Sequence, residues 1–260
     1  MNTKTKLFCI FVIAFSVVCC AMQSIAESSN EFCSYLRLEN FNWKELDDDG
    51  VELLEESGQI LGVGADAWLD ITEQFIIKLN VGLFGGDIDY DGQTQGGTPV
   101  KSNTEYVGMK MECDAGVRWT SAPLEQGFLM PFLGIGYRRW DRTINSTDFA
   151  VGYTETWTTL YGRLGIHGDY PLTGQTRILG EIGVKPSLLT ENDVNIFGYG
   201  VTLKPGNETS LFGEIGIQWP RIKTTLTYEG MKFSKSDVED GAYQPESQAD
   251  IIGVEVGIVF

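Results

Sequence analysis

The single histidine, His167, is the residue of this chain best suited to acid–base or nucleophilic chemistry. Asp169 falls on the same face of a predicted strand, so the sequence allows a histidine–carboxylate pair. A hydrolytic centre also needs a nucleophile held by that base, and no serine lies beside His167 in the sequence. We therefore predict a structural hydrogen bond for His167, no catalytic residue and no cofactor.

A second candidate site is the stretch "DIDYDG", in which Asp87, Asp89 and Asp91 precede Gly92. Alternate carboxylates and a turn glycine begin a calcium-binding loop. The twelfth position is Thr98 rather than the bidentate glutamate, so the motif is only half present. The sequence predicts an acidic loop that is solvated or holds a weak Ca²⁺ site.

Most other charged residues alternate with apolar ones, as in "VGMKMECDAGVRW" and "LYGRLGIHGDY". Alternation with period two indicates strands that have one apolar and one charged face. Eight bases, ten acids and the histidine fall on the charged faces. We predict that they form an ionic network, because unpaired charges in a confined space are costly. Its proposed members are Lys110, Glu112, Asp114, Arg118, Arg163, His167, Asp169, Glu181, Glu214 and Glu255.

The alternating segments are too long for an ordinary soluble sheet, since several run for 11 residues or more. They predict an all-β, up-and-down antiparallel transmembrane β-barrel of about ten strands. Residues 188–208 are ambiguous: they suit a long loop, an extension of the neighbouring strands, or an extra hairpin that makes twelve. The ten predicted segments are 33–46, 52–71, 75–90, 104–119, 128–145, 153–170, 176–187, 209–219, 222–236 and 248–260.

The ends of the strands differ from each other in a way that is typical of membrane barrels. Short connections alternate with longer polar ones, among them "LDDDG" and "SDVEDG", which predict an acidic outer rim. Every second strand from the fourth onward finishes with an aromatic side chain on its apolar face, which predicts an interfacial girdle. The girdle residues are Trp119, Tyr170, Trp219 and Phe260.

The first 26 residues have the features of a cleaved signal peptide: Lys4 and Lys6, an apolar run, and Ser24–Ile25–Ala26. Residues 27–260 are then one barrel domain. The whole chain carries a net charge of −17, which disfavours nucleic acid as a partner. Whether Cys33 and Cys113 pair is left open, although their predicted strands are not neighbours.

With these features the sequence resembles small bacterial outer-membrane β-barrel proteins of eight to twelve strands. The resemblance rests on the leader, the girdle positions and the closing strand "IGVEVGIVF". It implies a location in the outer membrane of a Gram-negative cell, contact with membrane lipids and lipopolysaccharide, and assembly by the barrel-assembly machinery through the C-terminal strand. The resemblance does not extend to the omptin proteases or the lipid A deacylases at their catalytic positions.

The function predicted from these patterns is structural or surface-interacting, through acidic extracellular loops on a barrel whose lumen is mostly filled by salt bridges. One alternative is a narrow, porin-like channel for small solutes or ions, although a dedicated ion pore would more often show one sign of charge at its constriction. A rim-located membrane hydrolase is the other alternative. The sequence does not indicate an oligomeric state.

Overall fold

The computed structural model describes residues 30–93, 97–120, 127–148, 150–196 and 199–260. The predicted signal peptide, residues 1–26, lies outside the described residues. Within them, every regular element is a β-strand, and none is a helix that could span a membrane.

The strands lie close to the predicted segments and most are longer. They are β1 (Glu31–Leu46), β2 (Glu52–Asp70), β3 (Phe75–Gln93), β4 (Pro99–Val117), β5 (Phe128–Ile144), β6 (Tyr153–Thr173), β7 (Thr176–Ile196), β8 (Tyr199–Leu203), β9 (Gly206–Asn207), β10 (Thr209–Gln218), β11 (Ile222–Ser234) and β12 (Glu246–Val259).

Ten of these strands close into one antiparallel ring. Strands β1 to β7 pair in sequence order, β7 pairs with β10, and β10, β11 and β12 continue the order until β12 pairs with β1. The ring closes with Cys33 opposite Val259, which leaves neither strand as an open sheet edge. This confirms the predicted up-and-down barrel of ten strands.

The ambiguous residues 188–208 extend one side of the barrel wall. β7 continues to its end at residue 196 and forms a hairpin with β8, while β9 pairs only with the end of β11. Both short strands lie outside the closed ring, so the twelve-stranded sheet is still a ten-stranded barrel. Of the three alternatives for residues 188–208, the structure agrees with the extension of the neighbouring strands.

An apolar belt surrounds the lower part of the barrel, where the lower end is defined as the end at which β1 begins and β12 finishes. On β12, Ile252, Val254, Val256 and Ile258 are all about half exposed, while Glu255 between them is buried in the lumen. Apolar side chains on the outer surface of a closed barrel are what lipid requires. On β1 the outward residues change to polar ones from Asn40 upward, so the belt ends well below the upper rim.

In the upper third of the barrel, the strands extend further than the sequence predicts. The predicted segments stop at residue 90 and resume at 104, and "DIDYDG" is predicted to be an acidic loop, yet β3 continues to Gln93 and β4 begins at Pro99. The physical reason is that Ile88 and Tyr90 alternate inward and are buried in the core, which outweighs the turn-forming preference of the aspartates and glycines beside them.

The four predicted girdle residues all lie at the lower end of the barrel. Trp119, Tyr170 and Trp219 expose between 41% and 62% of their surface, and the Phe260 amide donates to the Phe32 carbonyl across the ring closure at 2.9 Å. Both described ends of the chain therefore lie at the lower end, as an even number of strands requires.

A charge placed in the belt tests the assigned outer face. We expect Leu133→Arg, which changes a 67% exposed side chain next to Ala115 and Leu164, to weaken folding into lipid vesicles by about 2–4 kcal/mol. Val151→Arg is the matched control, because Val151 is 61% exposed but lies in the upper loop after β5. The folded fraction is measured by heat-modifiable gel mobility. Equal effects of the two changes would contradict the assigned belt.

Candidate functional site

The lumen is the candidate site, and side chains fill it at two levels. The lower level, inside the apolar belt, is the predicted ionic network. The upper level lies above the belt and is built mainly of aromatic rings and one buried arginine.

Arg163 organises one half of the ionic network. Its guanidinium donates to Asp114 Oδ1 at 2.9 Å, to Glu112 Oε1 at 2.8 Å and to Glu181 Oε1 at 2.9 Å. Lys78 donates to the other oxygen of Glu181 at 2.7 Å. Five charged side chains from four strands thus meet in the lumen, because the register of β3, β4, β6 and β7 turns all of them inward.

Glu229 organises the other half. It accepts hydrogen bonds from Lys110 and Arg138, both at 3.1 Å, and from Lys185. The charge of Glu229 is therefore shared among three bases in a space that water barely reaches.

The remaining network residues form separate pairs. Glu255 accepts from Arg37, whose Nε lies 2.6 Å away. Near the lower end, Arg118 donates to Asp70 at 3.0 Å and Arg177 donates to Asp169 at 2.9 Å. Arg118 and Asp169 line the lower cavity of the lumen but do not join the central cluster.

His167 lies in a row with two glutamates. It is directly opposite Glu181 on β7, and Glu181 is directly opposite Glu214 on β10. The imidazole ring also packs on Trp68, with ring centroids 4.6 Å apart. Its contacts are therefore with the Glu181 carboxylate and with the aromatic rings of Trp68 and Phe128.

At the upper level, Arg142 is enclosed by three carboxylates, which we call the carboxylate cage: Glu45, Glu56 and Glu155. Arg142 donates to Glu45 at 3.1 Å, to Glu56 at 2.9 Å and to Glu155 at 2.8 Å. Thr104 adds a hydroxyl hydrogen bond to Glu56 at 2.7 Å. The cage carries three acids to one base, so its carboxylates depend strongly on Arg142.

Three tryptophans and a phenylalanine pack beside the cage, and we call them the aromatic plug: Trp43, Trp140, Trp157 and Phe233. Trp140 and Trp157 are stacked with centroids 5.5 Å apart, and Trp43 meets Trp157 edge-on at 5.1 Å. The indole N–H of Trp157 donates to Glu155 at 2.8 Å. The plug and the cage are thus one hydrogen-bonded unit.

Sequence reasoning missed this unit because it assigned apolar and aromatic residues to the outer face. A usable signal exists: an aromatic and a charged residue recur two positions apart, and so on one strand face. The pairs are Trp43 with Glu45, Trp140 with Arg142, and Glu155 with Trp157.

The environment of Glu45 alters its protonation. Burial raises its pKa to about 7, the nearby Glu155 and Glu56 carboxylates add to the rise, and Arg142 opposes it. Glu45 lies above the apolar belt, since Lys44 beside it faces outward and contacts Glu52 at 2.7 Å.

The three aspartates of the half calcium motif lie on β3 rather than in a loop. Asp87, Asp89 and Asp91 point outward from the wall above the belt, and Asp91 accepts a hydrogen bond from Lys101 at 2.7 Å. Alternate residues of a strand are roughly 7 Å apart, so these carboxylates do not wrap one ion as a loop would. The loop conformation predicted for this segment is therefore wrong, and the weak Ca²⁺ site remains a prediction.

The two cysteines are not paired with each other. Cys33 is buried on β1, Cys113 is exposed on β4, and both are free. Strands β1 and β4 are not neighbours in the ring, which explains the separation.

Little space remains between the lumen side chains. Two cavities beside the ionic network have volumes of about 50 and 110 Å³. Each can hold a few water molecules, and their walls include Glu181 and Glu214 in one and His167 in the other.

Comparison with known proteins identifies the fold of the chain but no family. No protein-family model matches the chain, and no curated protein matches its sequence. The crystal structure of the outer membrane protease OmpT from Escherichia coli is 12% identical, with a TM-score of 0.56 over 89% of this chain and 96% of that one.

Two other barrels match less well. An outer membrane channel from Pseudomonas putida is 7% identical, with a TM-score of 0.44 over 90% of this chain and 97% of that one. A major outer membrane protein from Thermus thermophilus is 14% identical, with a TM-score of 0.40 over 90% of this chain and all of that one. The match to the protease, with its TM-score of 0.56, supports the fold of an outer-membrane β-barrel, and an identity of 12% establishes the fold alone.

Removing the base of the carboxylate cage tests its energetic role. We expect Arg142→Met to destabilise the barrel by about 3–5 kcal/mol, because it leaves buried carboxylates without their cation. Arg118→Met is the control: Arg118 is partly exposed in a single ion pair, and we expect a loss of about 1 kcal/mol or less. Urea unfolding in detergent measures both. A small effect at Arg142 would show that the cage is not as buried as described.

The pKa of Glu45 gives a pH dependence of defined sign. Because it rises from 4.5 to about 7 on folding, the folded barrel binds more protons between these values, and the free energy of unfolding falls as pH increases through them. We expect Glu45→Gln to reduce this pH dependence. Asp49→Asn, at an exposed loop position, should leave it unchanged. The urea midpoint is measured for each protein from about pH 5 to about pH 8. The same dependence of the midpoint on pH in the wild type and in Glu45→Gln would contradict the raised pKa of Glu45.

Proposed function

We propose that this protein is a closed, non-conducting barrel of the bacterial outer membrane, with a structural or surface-interacting role. The observation that carries the proposal is the occupation of the upper lumen: Arg142, Trp43 and Trp157 have no exposed surface at all. Packed side chains that water does not reach favour a lumen that is closed at their level.

The ionic network is a second obstruction below the plug. Arg163, Arg138 and Glu229 are buried in the middle of the lumen. Arg138 donates directly to Glu229 at 3.1 Å, and Arg163 donates to Glu112 at 2.8 Å. The network includes acids and bases in similar numbers, whereas a constriction that selects ions usually carries one sign of charge. This favours a filled lumen over the alternative of a narrow, porin-like channel.

The surface of the upper rim is where we propose that the protein meets its partners. Asp47, Asp48 and Asp49 form the turn between β1 and β2, and Lys235 contacts Asp48 at 2.7 Å. An acidic rim favours cationic partners and divalent ions that bridge to lipopolysaccharide, and it disfavours nucleic acid. Outer-membrane lipids at the belt and the barrel-assembly machinery acting on β12 complete the proposed set of partners.

We propose no enzymatic activity. His167 is near the lower end, in contact with Glu181 and Trp68, away from the acidic rim. The protease with the similar fold lends support only to the architecture.

Conductance of the refolded barrel in a planar bilayer tests the proposal. We expect no steady single-channel current from the wild type, with insertion verified by heat-modifiable mobility of the same preparation. Trp43→Ala combined with Trp157→Ala removes most of the plug but leaves the ionic network, and we expect this variant also to be closed.

A steady, reproducible current from the wild type would reject the closed barrel and support the channel alternative. A current from the plug variant alone would show that the aromatic plug is the only barrier.

A further inference from the structure

The row formed by His167, Glu181 and Glu214 has the geometry of a metal site. The three residues are direct cross-strand neighbours on β6, β7 and β10, so the backbone register itself places them side by side. One nitrogen or oxygen atom from each lies within 4.8 Å of the others. This arrangement depends on three strands held in fixed register, and so it is a preformed cluster.

Two atoms of the row are buried without a hydrogen-bond partner. His167 is 2% exposed, and its Nδ1 lies 3.4 Å from Glu181 Oε2 without the geometry of a hydrogen bond. The Oε1 atom of Glu214 is likewise buried and unpaired. Buried polar atoms are nearly always satisfied, so two unpartnered atoms within one row of three neighbouring residues call for a ligand there.

The charge balance indicates what kind of ligand is missing. Among the acids of the predicted ionic network in the described ranges, Glu214 alone has no ion pair. It also lies directly opposite Glu181, and like charges in that position repel. A cation between the two carboxylates would remove both penalties.

We propose that His167, Glu181 and Glu214 bind one divalent transition-metal ion, with Zn²⁺ as the reference ion. An imidazole nitrogen with two carboxylate oxygens suits Zn²⁺ and its first-row neighbours, whereas Ca²⁺ and Mg²⁺ prefer oxygen ligands only. Water from the adjoining cavities of about 50 and 110 Å³ can complete the coordination. The site needs the His167 tautomer that carries its proton on Nε2.

Lys78 competes with a metal ion for the Glu181 carboxylate. Its ammonium donates to Glu181 Oε2 at 2.7 Å and lies 5.2 Å from the centre of the Trp68 ring. Metal binding must move Lys78 away from that oxygen or share it, so Lys78 weakens the site and offers a direct test of it.

The position of the site indicates its effect on the barrel. Apart from the closing pair of β12 and β1, β7 and β10 are the only paired strands of the described ring that are not consecutive in the chain, because β8 and β9 lie between them. A metal that joins β6, β7 and β10 would stabilise this seam. Binding should therefore also raise the temperature at which the folded gel band is lost.

The experiment uses residues 27–260 without a histidine tag, refolded in detergent, treated with a chelator and titrated with Zn²⁺ by calorimetry. We expect one Zn²⁺ per barrel. Glu214→Gln should weaken binding at least about tenfold, and Lys78→Met should tighten it. Glu39→Gln is the matched control, because Glu39 is a buried lumen glutamate bonded to Arg37 at 3.2 Å, and this variant should bind Zn²⁺ as the wild type does.

Because His167 is the only histidine, an isotope label on histidine reports its coordination as one shifted NMR signal.

Because Glu214 has no ion pair to lose, we expect the Glu214→Gln variant to fold. This holds even if replacement of the His167 imidazole, as in His167→Gln, prevents folding. Unchanged Zn²⁺ affinity in Glu214→Gln, or Zn²⁺ binding without a shift of the His167 signal, would overturn the proposal. Either result would assign any bound Zn²⁺ to the acidic outer surface instead.

Discussion

The structure depends on one constraint: a closed ring of ten strands turns every second side chain into a narrow interior, and each charge placed there must find a partner. Arg163 and Glu229 satisfy it below, where each is bonded to three groups of opposite charge. Arg142 satisfies it above for three carboxylates at once. The same requirement fixes the register, since a slip of one residue would turn these charges toward lipid.

The two levels of the lumen satisfy this constraint in different ways. Within the apolar belt, acids and bases are close to balanced and form a central network with separate ion pairs beside it. Above the belt, the wall faces water on its outside, and the interior is an aromatic core with a single charged cluster at its centre. The upper third of the barrel therefore resembles the core of a soluble β-protein, and it continues directly into the membrane barrel below it. Its excess of carboxylates adds to the rise in the pKa of Glu45 that burial causes.

The sequence was sufficient for the fold and for much of the lower lumen. Period-two alternation fixes which residues of a strand face inward, so Lys110, Glu112, Asp114, Arg163 and Glu181 could be assigned to one network from parity alone. Which of them touch could not be predicted, because the contacts depend on the register between strands and on the width of the ring. Arg118 and Asp169 show this, since both face inward but form separate pairs near the lower end.

The upper level was missed for a different reason. Hydrophobic periodicity does not distinguish a tryptophan that faces lipid from one that faces an aromatic core, and Asp and Gly in residues 85–103 resemble a loop when burial is unknown. Only the closed ring shows that Ile88, Tyr90 and Trp157 share one interior. The pairing of aromatic and charged residues two positions apart is the sequence pattern that would have indicated it.

The central claim is that the lumen is filled and closed to water at the level of Arg142. Hydrogen exchange of the tryptophan indole N–H groups, followed by NMR on the folded barrel, tests it most directly. The account predicts strong protection for Trp43 and Trp157, whose N–H groups donate to Glu45 at 3.1 Å and to Glu155 at 2.8 Å. Exchange of these two indoles at the rate of a freely hydrated indole would contradict it.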